Sequence, residues 1–432
     1  MHTEITQFLN QGRLKEGLTQ LKAYAETVNN WDVLSTIETL QTNYDYMLKY
    51  AALGQADPQR EELFTNILNK AYELADQLHV EEKFANGYGY MSDLYRFNKV
   101  KPIPTYLELQ KELISLNSNA GITITSENEC RHELFQPHFD FIDKVFKKTI
   151  LVSHWNTSEY SDAYKLVLCG MSAFDIEVWL SAITLSLLNC YDAMKFNFLM
   201  NIYLEKSIPS IKARALVGIA LATYYHSDRI KRDKERSSQL DLLLNSHEEI
   251  PHKLHLIQQI FLLTRETEKI DKKMREEIIP QMMKNPYLKH KDKKFEEIEL
   301  KELEEDNPEW EQDLSKMTEQ IHELGELQRE GADTYMSTFA MLKHYPFFRE
   351  MPHWFYPFNT MEPTVHKIFK EREISEHSIL HLMLNSPAFC NSDKYSFSLT
   401  LNEIPLQDMS MMKENVNDKE DLLNEHLGAP AK

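Results

Sequence analysis

The sequence predicts an all-α fold, and three observations carry that prediction. Only 11 of the 432 residues are glycine, against an average usage of roughly 7%. Glycine supplies the turns of β-hairpins and phosphate loops, so its scarcity favours helices joined by short polar connections. Apolar residues recur at three- and four-residue steps in nearly every segment, the spacing of one helix face. Strand-like alternation is confined to short stretches, which limits any sheet to a hairpin near residues 121–126 or 395–401.

Taken in order, residues 3–27 carry Ile5, Phe8 and Leu9, then Leu14, Leu18 and Leu21, broken at Gln11–Gly12. That pattern is a short helix, a turn and a second helix. A longer stripe runs from Trp31 through Leu34, Ile37, Leu40, Tyr44, Met47, Leu48 and Ala51, and Gly54 stops it. Asp57 then caps a new helix with Pro58 in its first turn, where the missing N–H costs nothing. Leu63, Ile67, Ala71, Leu74 and Leu78 form its stripe, widened by Phe64, Leu68 and Ala75. Two antiparallel helices across so short a turn make a helical hairpin.

Gly87, Gly89 and the Lys101–Pro104 turn punctuate the chain before a helix from Thr105 to about Leu116, and the ITIT run at 122–125 reads as a loop. Pro137 reads as the first-turn proline of a helix continuing through Phe139, Ile142, Val145 and Phe146. Asp140, Asp143, Lys144 and Lys147 fall off that stripe and read as a solvated face rather than a catalytic carboxylate pair. Asp175 caps a helix reaching Leu187, Leu188 and Cys190 that is apolar nearly all round, and therefore buried. Phe196, Leu199, Ile202 and Tyr203 mark the next. Pro209 opens a third with Ile211, Ala215, Leu216, Ile219 and Ala220, where small residues such as Ala213 and Gly218 let neighbouring helices approach. Consecutive helix pairs of this length read as a stacked α-solenoid layer. Asp228–Arg236, with five basic and three acidic residues, reads as an inter-helix connection.

Thr264–Lys316 is densely charged, basic at 289–294 and acidic over Phe295–Asp313. Such blocks are solvated helices or linkers, with docking of a basic partner as the second reading. A helix resumes from about Glu311 to Leu342, and another short one spans Ser375–Leu384. Between them lies FAMLKHYPFFREMPHWFYPF at 339–358, where eight of twenty residues are aromatic against 11% in the whole chain. Pro346, Pro352 and Pro357 forbid a continuous helix there. Leaving such rings in water exposes a large apolar area. Two roles fit: a plug that closes the end of a helical core, or a partner-binding anchor made of Phe347, Phe348, Trp354, Phe355, Tyr356 and Phe358.

Net charge is −19 from 48 basic and 67 acidic residues, a field that disfavours nucleic acid and anionic membranes. Cys130, Cys169, Cys190 and Cys390 are scattered, with no C-x-x-C pair, which implies a reducing compartment and a cytoplasmic location. The N-terminus lacks an apolar signal core, and the most apolar uncharged run, Val178–Tyr191, is too short to span a bilayer. Gly87-Tyr-Gly89 is no dinucleotide loop, and neither a phosphate loop, a nucleophile elbow nor an H-E-x-x-H motif occurs. Glu-x-x-His pairs stand at Glu129/His132, Glu249/His252, Glu319/His322 and Glu350/His353, and His252/His255 and His377/His381 share helix faces. Those spacings favour surface or packing histidines over a metal site, so no catalytic residue, cofactor or metal ligand is assigned.

IKARALVGIALA at 211–222 looks like the second helix of a HEAT repeat, and the N-terminal hairpins look like degenerate tetratricopeptide (TPR) units. ADPQREEL at 56–63, RALVGIAL at 214–221, NPEW at 307–310, LQREGADTYMSTFAMLKHYPFF at 327–348 and NSDKYSF at 391–397 resemble segments of large uncharacterised bacterial tetratricopeptide-containing proteins. That resemblance implies a fold without an activity. Relatives of that kind continue into further helical repeats, which makes this chain a short form or a piece. The expected order is TPR-like hairpins (1–155), a HEAT-like layer (156–289), a charged helical connector (290–330), an aromatic-rich C-terminal module (331–413) and a polar tail (414–432). The expected function is a non-enzymatic cytoplasmic scaffold whose surface binds a protein or peptide. The alternative is a helical metal-dependent enzyme, hydrolase-like, built from scattered histidines and carboxylates.

Overall fold

A computed structural model describes residues 1–54, 57–123, 131–246, 248–265, 267–273, 276, 341–375, 378–385 and 389–405. The fold is all-α, with no strand among these residues. Two compact units are present: Met1–Glu248 with Met351–Pro363, and Glu249–Glu350 with Thr364–Lys432.

The first unit begins with α1 (His2–Asn10), α2 (Leu14–Val28), α3 (Trp31–Ala52) and α4 (Arg60–Asn86). Gly12 and Gly54 turn the chain at φ +72° and +73°, a region open to glycine without strain. Asn30 caps α3 by accepting from the Val33 N–H. Asp57 acts one turn before α4 by bonding the Gln59 N–H, so it shapes the approach rather than the cap itself. Ile5, Leu9, Leu18, Leu21, Ile37, Ala71, Leu74 and Leu78 close a common core, as their spacing predicts.

Then follow α5 (Tyr90–Val100), α6 (Tyr106–Thr123), α7 (Arg131–Leu151), α8 (Thr157–Leu168), α9 (Ala173–Asn189), α10 (Ala193–Glu205), α11 (Pro209–Tyr225), α12 (Ser227–Arg232) and α13 (Lys234–Ser246). Helices α6, α7 and α9 depart from the sequence reading at their ends or caps. Helix α6 continues through Ile122 and Thr123, where a loop is expected. Pro137 lies inside α7 rather than in its first turn. The cap of α9 is Ser172, with Asp175 at the third helical position completing a reciprocal capping box.

Helices α7, α9, α10 and α11 pack in sequence, each against the next layer: α9 on α7, α10 and α11, and α10 on α11. At their centre Trp179 Nε1 donates to Thr149 Oγ1 (2.8 Å), and the Tyr106 hydroxyl shares a hydrogen bond with the same oxygen at 2.9 Å. Burial pushes the Tyr106 hydroxyl pKa upward. Gly218 is where α11 meets its neighbours: a Cβ there would meet Leu199 Cδ1 at 2.8 Å and press on Thr184.

Asp228–Arg236 holds the short helix α12, breaks at Asp233 and enters α13, and its arginines turn inward. Arg229 pairs with Asp76 of α4, while Arg232 donates to Tyr72 Oη at 2.7 Å and to the carbonyls of Leu9 and Asn10. Residues more than 150 positions apart are thus tied together, beyond the neighbour-only contacts of a simple repeat stack.

The second unit contains α14 (Glu249–Thr264), α15 (Thr267–Lys273), short 3-10 turns at Met341–His344 and Pro346–Arg349, α16 (Pro363–Glu371, from Thr364 onward), α17 (Ile379–Asn385) and α18 (Asn391–Thr400). Residues 395–400 belong to α18, which removes the hairpin alternative there. The Ser396, Ser398 and Thr400 hydroxyls bond carbonyls one turn back, while Tyr395 and Leu399 are buried. Tertiary burial thereby overrides the β-leaning pattern. The hairpin alternative at 121–126, the connector at 290–330, the helix expected over 311–342 (whose last two residues lie in the 3-10 turn Met341–His344) and the polar tail fall wholly or partly outside the described residues.

Candidate functional site

The aromatic stretch divides between the two units. Pro346–Arg349 belongs to the second. There Phe347 is 7% exposed and stacks on Tyr395 (centroids 4.8 Å apart), with Phe348 edge-on to Phe347 at 5.1 Å. Lys343 lies 4.7 Å over the Phe348 ring and bonds Asp393 Oδ1 at 2.8 Å. These two phenylalanines form core, and their packing explains why the stretch is rich in rings at this point.

Met351–Pro363 forms a strap on the first unit. Its 3-10 turn, Met351–Phe355, packs on α7 and α9. Pro352 lies in its first turn, where the missing N–H costs nothing, and Pro357 keeps a helix from continuing through Tyr356. The receiving face is assembled from three helices. Helix α7 supplies Phe139, Asp143 and Phe146 at steps of four and three, one helix face. Helix α9 supplies Phe174, Glu177 and Ser181, and α11 supplies Arg214.

Tyr356 is 1% exposed, tilted against Phe139 (5.6 Å) and edge-on to Phe174 (5.1 Å). Its hydroxyl donates to Asp143 Oδ1 at 2.6 Å, while His353 Nε2 lies 3.5 Å from Asp143 Oδ2. Phe355 stacks on Phe146 at 5.8 Å. Its backbone carbonyl accepts from Arg214 Nη1 at 2.8 Å, and the same nitrogen reaches Ser181 Oγ at 2.8 Å and the Glu177 carbonyl at 3.1 Å. Glu177 orients that guanidinium (3.4 Å) and accepts from Ser210 Oγ at 2.6 Å. Phe358 is half-buried. Trp354 differs from its neighbours: it is 43% exposed on a segment whose flanking residues are held down.

Sequence reasoning placed Asp143 on a solvated face, and the structure makes it the polar key of the strap. Its spacing with Phe139 and Phe146 was visible; what it bonds to, more than 200 positions away, was not. The plug reading fits Phe347, Phe348, Phe355 and Tyr356, although the strap lies on the α7–α9 face instead of covering a terminal repeat.

A second polar cluster lies where α1, α4, α12 and the α7–α8 connection meet. Asp76 Oδ1 bonds His2 Nε2 at 2.9 Å, Oδ2 pairs with Arg229, and His154 Nε2 stands 3.9 Å away. Burial of Asp76 raises its pKa, but Arg229, His2 and His154 outweigh it and hold the carboxyl at about 2. Burial pushes His154 down and the nearby Cys190 thiol up to about 12, which leaves that sulfur a poor nucleophile. Lys195 is fully buried, its pKa lowered by desolvation. It donates to Ser186 Oγ (2.8 Å) and to the Thr149, Val152 and Ser153 carbonyls at the end of α7, beside Asp192 at 3.9 Å. Every group here is occupied in tying elements together.

Among the described residues no group of three or more His, Cys, Asp or Glu is placed to hold a metal ion. His252 and His255 are exposed on α14, while Glu129, Glu319, His322 and His377 lie outside the described residues. No described helix is long and apolar enough to cross a membrane. No protein-family profile, curated protein or solved structure matches the chain.

Proposed function

We propose that the chain is a non-enzymatic helical scaffold that binds a protein partner, with Trp354 as the anchor on the first unit. The observation that carries this reading is the contrast within the strap: Tyr356 is sunk at 1% exposure and Trp354 stands 43% exposed two positions earlier. A large, partly exposed ring on a backbone fixed at Phe355 and Tyr356 has lost part of its freedom before binding, which lowers the ordering cost of association. Tryptophan is also the residue most enriched among binding hot spots. The all-helical character of the chain supports the same reading, since arrays of packed helices display extended binding surfaces. A reducing, cytoplasmic setting fits Cys169, Cys190 and Cys390, which are all free thiols.

Affinity capture from the native cell with wild type and Trp354→Ala tests the reading. A partner retained by wild type and lost by a normally melting Trp354→Ala protein is the expected result. Equal capture by both proteins rejects Trp354 as the anchor.

A further inference from the structure

The chain contains one Asn-Gly pair, Asn86–Gly87, and it stands at the joint between α4 and α5. Asn86 is the last residue of α4 and is exposed. Gly87 leaves the helix in extended form (φ −80°, ψ 177°), and no hydrogen bond holds its N–H among the described residues. The fold demands the glycine. A Cβ at this position would stand 2.5 Å from the Lys83 carbonyl oxygen and 2.6 Å from Oγ of the buried Ser92. An exposed side-chain amide is thereby followed by the one residue with no side chain to shield the next backbone nitrogen. Arg96 spans the spot. Its Nη1 donates to the Ala85 carbonyl (3.4 Å) and the Gly87 carbonyl (3.1 Å), while Nη2 is held by Asp93 Oδ1 at 2.7 Å.

We infer that Asn86 is a self-modification site, where water converts the side-chain amide to a carboxylate through a cyclic imide at a rate that the Arg96 bridge restrains. The Gly87 nitrogen gives its proton to solvent and forms a bond to Asn86 Cγ. The bond from Cγ to the side-chain nitrogen breaks, and that nitrogen takes up a proton and leaves as ammonia. Water then adds to one of the two ring carbonyls and breaks its bond to the ring nitrogen, which leaves aspartate or isoaspartate at this position. Nothing is oxidised or reduced, and water is the co-reactant. Ring closure requires Asn86 to rotate out of helical ψ. That rotation breaks no hydrogen bond at the Gly87 N–H, and helix ends are where such openings cost least. What resists it is Arg96, because the two carbonyls it holds flank Asn86. The product alters the joint. A carboxylate at the C-terminal end of a 27-residue helix opposes the macrodipole, and isoaspartate lengthens the main chain between the carbonyls that Arg96 ties together. The site is independent of Trp354 and the strap.

Incubation of the full chain at mildly alkaline pH, followed by proteolysis and mass spectrometry, tests it. In folded wild type the peptide containing Asn86 should gain the mass difference between an acid and an amide ahead of every other asparagine peptide. It should appear as two chromatographic forms, aspartate and isoaspartate, and Asn86→Gln should abolish both. Folded Arg96→Ala should convert several-fold faster at Asn86 with the other asparagines unchanged. In concentrated urea, where neither protein has the bridge, the two should convert at one rate. Folded wild type that is still an amide at this position when the urea-unfolded chain has converted overturns the inference, whatever the variants do. So does a folded Arg96→Ala protein that converts no faster than wild type, or one that converts faster at all its asparagines, since the bridge then restrains nothing at Asn86 in particular.

Discussion

Tyr356 and Trp354 read alike in the sequence, yet they have different work in the fold. The Tyr356 ring fills a slot between Phe139 and Phe174, and its hydroxyl meets a carboxylate. Tyr356→Ala should cost about 3–5 kcal/mol, the usual result of truncating a buried aromatic ring. Tyr356→Phe isolates the bond to Asp143 and should cost about 1.5–3 kcal/mol, the range for hydrogen bonds to charged groups. Trp354→Ala should stay below about 1 kcal/mol, as for partly exposed positions. Urea unfolding of the three variants checks the order, and a Trp354→Ala cost equal to that of Tyr356→Ala would show the ring to be core. Lys195 poses a similar question. Lys195→Ala leaves Asp192 buried without its ammonium and strips the carbonyls ending α7 of a donor, so it should cost about 3–5 kcal/mol. Lys195→Met restores the volume but not the charge, and should recover only the packing part of that loss.

At the scale of elements, close approach explains two glycines. A Cβ on Gly17 would meet Leu9 Cδ2 at 2.6 Å, and one on Gly218 would press on Leu199 and Thr184. Alanine at either position should destabilise by about 1–3 kcal/mol, the scale of overpacking, although alanine is the better helix former. A gain in melting temperature would mean that the neighbouring side chains yield freely. Helix existence was legible because it rests on local periodicity: α1 to α4 stand where their apolar stripes place them. Helix α5 was not legible, since Ser92 is its one clearly buried residue and its sequence shows no continuous stripe. Helix α12 was hidden differently. Arg229 and Arg232 look like solvent-facing charge until Asp76, Tyr72 and the end of α1 supply their partners. Asp143 was missed for the same reason: a polar residue's role is set by a partner remote in sequence, while an apolar stripe announces itself locally. Arg229→Ala, which leaves Asp76 buried without its guanidinium, should cost about 3–5 kcal/mol and loosen α12 from α4. Amide exchange in α12 and the start of α1 should speed up selectively.

For the whole molecule, buried titratable groups set the response to acid. His79, His154 and His226 all have pKa values lowered by burial. Unfolding lets them take up protons that the folded state resists, so their contribution is full above the usual histidine value of 6.5 and declines as pH falls below it. His138 acts oppositely: its bond to Asp175 raises its pKa, so its stabilisation is full below 6.5 and fades as pH rises. Three groups against one predict a melting temperature that falls as pH drops below 6.5. Further down, Asp76 contributes stability that is present above the usual carboxylate value of 3.8 and is lost as pH falls towards about 2. A melting temperature flat between neutrality and mild acid would show the buried histidines to be energetically silent.

If Trp354, partly exposed on a clamped strap, is the anchor for a partner, the emission of that one ring reports it. Subtracting the spectrum of Trp354→Phe from that of wild type isolates it from the other four tryptophans, of which Trp155 and Trp179 are core. The expected difference spectrum is red-shifted and readily quenched by acrylamide in the free protein, and it moves to the blue and resists quenching once the captured partner is added. A difference spectrum that is already blue and unquenched in the free protein would contradict it.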